Sequence, residues 1–155
     1  MIKNNMKKHF SGLVFLLLAT QMTNVTAHDI NGEYLYSGAE AADTWGISCL
    51  NGSSRLVARV QDLNAGRSNI SALIYKDGRA ANTVDNTGGD AGYSPFVSVN
   101  AGDGEYMVIV TNSQDSAETP DKYNGYNINF HCEDNGGGHS DTTVPSAPIQ
   151  DELAQ

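Results

Sequence analysis

The residues of this 155-residue chain best suited to chemistry are a few histidines, two cysteines and a scatter of loop aspartates. His28 directly follows Val25-Thr-Ala27, whose small residues stand at the two positions a signal peptidase reads. Cleavage after Ala27 would make His28 the N-terminus. Its α-amino nitrogen and its Nδ1 could then chelate one metal ion, and such nitrogen donors suit Cu(II). His131 would be the natural second copper ligand if the first strand runs beside the last, with His139 a more mobile alternative. The competing reading is an ordinary exposed terminus and a solvent-facing strand histidine. Cys49 and Cys132 are the only cysteines of a chain that looks exported, and neither sits in a Cys-x-x-Cys arrangement. A structural disulfide closing a loop of 83 residues is therefore expected.

Other chemistries find less support. No serine lies in a Gly-x-Ser-x-Gly elbow, and no fixed His–Asp partner is visible, so an enzyme is not expected. Asp85, Asp90, Asp103, Asp115 and Asp121 fall in loops, where calcium could be held if six to eight oxygens converged, but no EF-hand or Gly-Asp repeat gathers them. Tyr34, Tyr36 and Tyr93 could stack on sugar rings, although strand tyrosines more often serve packing.

The elements that must position these residues are β-strands. In Asn124–Cys132, Tyr126, Ile128, Phe130 and Cys132 alternate with Asn127, Asn129 and His131, the period of a half-buried strand. Gly104–Thr111 is apolar on both faces and reads as a more central strand. Trp45, Ile47 and Cys49 share one face of a third strand, and Leu56, Ala58 and Val60 share one of a fourth. Both cysteines therefore point to the core. Asp77-Gly78 marks a tight hairpin turn after the Asn69–Lys76 strand. Six to eight short strands separated by Gly, Asn and Asp turns predict an all-β fold, a single antiparallel jelly-roll or immunoglobulin-like sandwich over residues 28–133. Residues 134–155 hold almost no apolar side chains and are expected to form a disordered tail.

The first 27 residues read as a signal peptide: Lys3, Lys7 and Lys8 precede the apolar run Leu13–Ala19, which is too short to span a bilayer. A secreted or periplasmic location follows. The segment holds three of the nine basic residues and none of the 18 acidic ones, leaving six against 18, a net −12 for the remainder. Such a surface repels nucleic acid and anionic membrane.

From Asn69 to Phe130 the chain resembles the bacterial pre-peptidase C-terminal domain. The motifs are Ile74-Tyr-Lys-Asp-Gly78, then Ala101-Gly-Asp-Gly-Glu-Tyr-Met-Val-Ile-Val110, and finally Gly125-Tyr-Asn-Ile-Asn-Phe130. The resemblance covers about half of the chain that follows the signal peptide. It implies a small β-sandwich with a non-catalytic accessory role, in a family where some members bind calcium or a polymeric substrate. Asn69, Ile70 and Ser71 stand where the family has acidic residues, so calcium is carried over to no residue. The expectation is thus a monomeric binding or accessory protein for a protein or carbohydrate ligand. The other readings are a copper protein using His28 and His131, and a structural component of the cell surface or extracellular matrix.

Overall fold

A computed structural model describes residues 27–35, 41–65, 69–113, 123–144 and 148–150. The expected signal peptide lies outside these residues but for Ala27. Among the described residues there are ten β-strands and no helix, hence none long and apolar enough to cross a membrane. The strands are β1 (His28–Leu35), β2 (Ala42–Leu50), β3 (Arg55–Asp62), β4 (Ile70–Lys76), β5 (Arg79–Asp85), β6 (Val97–Val99), β7 (Gly104–Asn112), β8 (Asn124–Glu133), β9 (His139–Thr143) and β10 (Ile149–Gln150).

All pairings are antiparallel, and the path through the sheet is β5-β4-β7-β2-β9-β8-β3-β6, with β1 added to β8 and β10 to β2. The end strands β5 and β6 lie against each other, so the sheet is nearly closed into a barrel. The pairings nest around one tight turn: β4 with β5, β3 with β6, β2 with β7 and β1 with β8. That turn is Asp77-Gly78, where both residues have positive φ, 50° and 74°. Glycine adopts this region without steric cost and aspartate tolerates it, which is why this dipeptide starts the nest.

Side-chain alternation sends one face of each central strand inward. Trp45, Ile47 and Cys49, then Leu56, Ala58 and Val60, then Tyr126, Ile128, Phe130 and Cys132 are buried in a single core with Ile70, Ala72, Ile74, Tyr106, Val108 and Val110. Each large apolar side chain so buried contributes roughly 1.5–3 kcal/mol. β7 is central, between β4 and β2, as its two-sided apolar character suggests, yet Met107 on its outer face is exposed. One polar network enters the core: Tyr126 Oη donates to Asp43 Oδ2 at 2.6 Å and accepts from Trp45 Nε1 at 3.2 Å. Burial and the adjoining Asp43 carboxylate push the Tyr126 phenol well above its ordinary range. The disulfide joins Cys49 and Cys132, with Cα atoms 5.5 Å apart.

Over residues 134–144 and 148–150 the C-terminal segment departs from the expectation of disorder over 134–155; residues 145–147 and 151–155 lie outside the described residues. Residues 139–140 pair with the end of β8, residues 141–143 pair with the end of β2, and β10 pairs with β2 further along. β9 thus bridges the corner that the disulfide ties. The strand carries no apolar period because its polar side chains satisfy one another and the backbone: Cys132 N–H donates to Thr142 Oγ1 at 3.0 Å, and Ser53 and Ser140 hydroxyls bond at 2.6 Å.

Candidate binding face

The residues of β8 that do not enter the core form a polar row. Asn127, Asn129, His131 and Glu133 share the outer face, opposite Gln61, Arg59, Val57 and Arg55 of β3. Strands β1 and β9 extend the face on the other side of β8, where Asp29 stands against Asn129 and His139 against Glu133. The row is cross-linked by hydrogen bonds. Asn127 Nδ2 donates to Gln61 Oε1 at 2.7 Å, while its Oδ1 accepts from Gly32 N–H at 2.8 Å. Asn129 Nδ2 donates to Asp29 Oδ1 at 2.6 Å, and Arg59 Nε donates to Asn129 Oδ1 at 3.2 Å.

Aromatic groups flank the row at both ends. The Arg59 guanidinium sits 4.3 Å from the centre of the Tyr93 ring and 4.4 Å from that of Phe96, a cation–π arrangement that holds all three side chains. Phe96 nevertheless leaves 48% of its surface in solvent. At the far end Tyr34, opposite Gly125, makes an edge-on contact with Tyr123, and both rings are exposed. From Gly125 to His131, where Phe96 touches, is six steps of strand, about 20 Å. The Tyr93–Phe96 segment is fixed to the edge of β3 by Ser94, whose N–H donates to Val60 O at 2.8 Å and whose Oγ accepts from Val60 N–H at 3.0 Å.

His131 was expected to face solvent; it is 7% exposed. Its ring is stacked on His139 at 4.2 Å, met edge-on by Phe96, and bonded through Nε2 to Glu133 Oε1 at 2.7 Å. Its Nδ1 is buried with no partner. Burial lowers the His131 pKa and, with smaller help from the His139 and Arg55 charges, outweighs the upward pull of the Glu133 hydrogen bond and charge, so the ring is neutral near pH 7. The bond to Glu133 assigns the proton to Nε2. Burial opposes ionisation of Glu133, but bonds from His131 and from Arg55 Nε, the latter at 2.6 Å, hold its carboxyl below the usual range.

The first strand does run beside the last, but the copper pair is not assembled. His28 pairs with Phe130 and stacks on its ring at 5.9 Å, and cross-strand partners project to the same side. His131, one residue on, therefore projects to the opposite side of the sheet from His28. Among the described residues no group of three or more His, Cys, Asp or Glu side chains converges as a metal site. Of the loop acids, Asp85 is buried at the end of β5, Asp103 accepts from Gly52 and Ser53 N–H groups, and Asp90 accepts from Gly92 N–H. Asp115, Asp121 and Tyr36 lie outside the described residues. Alternation along β8 reveals the polar row in the sequence; Arg59 and Asp29 join it only through strand pairing across 70 and 100 positions, and Phe96 through its ring contacts with Arg59 and His131. No family of known proteins matches this chain, and no curated protein or solved structure shows significant similarity to it.

Proposed function

We propose that this protein is an exported, non-catalytic binding module of jelly-roll type, and that it takes a polysaccharide along the outer face of β1, β8 and β3. The observation that carries the reading is the half-buried pair Asn127 and Arg59, braced from beneath by the buried Asn129 and held between the exposed rings of Tyr34 and Tyr123 at one end and Phe96 at the other. Sugar rings present C–H faces that pack on aromatic side chains, and hydroxyls that exchange hydrogen bonds with amides and guanidinium. A span of about 20 Å suits several linked sugar units rather than one. The groups are already cross-linked, so little ordering would be needed on binding. A neutral polymer is favoured because acidic residues outnumber basic ones 18 to nine. The nested strand pairing supports the jelly-roll description, and the basic-then-apolar N-terminus supports export.

Affinity electrophoresis through gels containing neutral or acidic polysaccharides tests the reading. Retention is expected on at least one neutral polymer, without release of new reducing ends. Phe96→Ala and Tyr34→Ala should each weaken it about tenfold, because aromatic anchors carry more than about 1 kcal/mol. Retention on none of the panel, or equal retention of wild type and both variants, overturns the proposal.

A further inference from the structure

At the end of the barrel where β3 and β5 stop, two carboxylates are buried side by side. Asp62 is 0% exposed and Asp85 is 3% exposed. Asp62 Oδ1 accepts the Asn64 N–H at 2.8 Å, but Asp62 Oδ2 is buried with no hydrogen-bond partner at all. Asp85 Oδ2 accepts the Asp62 N–H at 2.8 Å, and Asp85 Oδ1 accepts from Thr87 N–H at 3.1 Å and Thr87 Oγ1 at 3.3 Å. Among the described residues, the ion pairs with Arg, Lys or His all involve Glu133, and none reaches either aspartate.

Asp62 Oδ2 and the Asn64 main-chain oxygen converge at Gly88, where no side chain larger than hydrogen fits. A Cβ placed on Gly88 would fall 2.6 Å from Asp62 Oδ2 and closer still to the main-chain oxygen of Asn64, so both oxygens border one small volume. The loop that supplies Gly88 is tied to the same strand by Gly89 N–H, which donates to Asp62 O at 2.9 Å. A buried carboxylate oxygen without a donor is costly unless a positive charge satisfies it. The donors here are carboxylate, carbonyl and hydroxyl oxygens, with no imidazole or thiolate among them.

We propose that Asp62 and Asp85 bind a calcium ion, with Asn64 O and the Thr87 hydroxyl as further candidate ligands and water completing the shell. All-oxygen donors favour a hard cation over copper or zinc, and calcium accepts irregular, partly hydrated geometry where magnesium demands near-ideal octahedral placement. Without the ion, burial raises the pKa of Asp62 and the Asp85 charge adds to this, against the Asn64 hydrogen bond, so a proton is the competitor for the same oxygen. Two carboxylates and a few neutral oxygens place the affinity in the range of extracellular modules, on the order of 0.1–1 mM. The site adjoins the Tyr123 end of the polysaccharide face, where Asn64 Nδ2 donates to Tyr123 O at 3.0 Å, but it does not depend on that reading.

The experiment is thermal unfolding of chelator-treated full-length protein at pH 7 with calcium or magnesium chloride added up to about 10 mM, a concentration chosen to exceed the expected dissociation constant roughly tenfold. Calcium should raise Tm by about 5 °C or more, and magnesium by clearly less. Asp62→Asn should abolish the calcium shift while unfolding no lower than chelated wild type, since it keeps the shape and removes the unpaired charge. An unchanged wild-type Tm across the titration overturns the proposal, because a protonated Asp62 alone would give that result. A calcium shift retained in Asp62→Asn also overturns it, since the ion would then bind elsewhere.

Discussion

His131 shows how a single side chain is decided by what covers it. Its position on the polar face is legible from alternation along β8. Its burial is not, because the covering groups, Phe96 and His139, come from a distant loop and from β9. A histidine kept neutral by burial has a pKa below its unfolded value of 6.5. Above that pH the ring is neutral in both states and costs nothing. As pH falls through 6.5 toward the folded pKa, the unfolded chain takes up the proton first and stability declines. Wild-type Tm should therefore drop over this window. His131→Gln retains a donor for Glu133 and should flatten that decline, as Tm measured against pH will show. Gly88 gives a second test at this scale. Gly88→Ala drives a methyl against Asp62 and the Asn64 carbonyl and should destabilise by about 1–3 kcal/mol in urea unfolding.

Among the elements, β9 marks where compositional reasoning ends. Its residues, His-Ser-Asp-Thr-Thr, offer nothing to a search for apolar periods and share the polar character of unstructured segments. The strand forms because β2 and β8 both present unpaired edges at the disulfide corner, and an edge is satisfied by backbone whatever side chains the segment carries. By contrast, β2, β3, β4, β7 and β8 are legible because each turns an alternating apolar face to one core. Truncation after Gly138 should accordingly lower Tm rather than leave it unchanged. Thr142→Val preserves shape but leaves the Cys132 N–H without its acceptor, at a cost of about 1–3 kcal/mol by denaturant midpoint.

For the whole molecule, the all-β class and the pairing of Cys49 with Cys132 are both readable from strand parity. The order of strands is not, since apart from the β4–β5 and β8–β9 hairpins each strand pairs with partners remote in sequence. The same remoteness leaves the unfolded chain with a great deal of freedom that the disulfide removes. Reducing the bond, or replacing both cysteines by alanine, should cost about 4–5 kcal/mol of stability from the loop of 83 residues alone. Urea unfolding of the oxidised and reduced forms measures it directly.

The position of that bond also determines how the protein would behave under tension. A pull applied at the two ends of the chain travels from β1 and β2 through the sulfur bridge to the last two residues of β8 and on to β9, bypassing everything between Cys49 and Cys132. β3 to β7, with the Asp77-Gly78 turn at their centre, then bear no covalent load. Even complete rupture of the barrel would release roughly 280 Å less contour than the unbridged chain, at about 3.4 Å per residue. Held by its ends between two anchors, the oxidised protein is a shorter link with limited extension, and reduction makes it a longer and more compliant one.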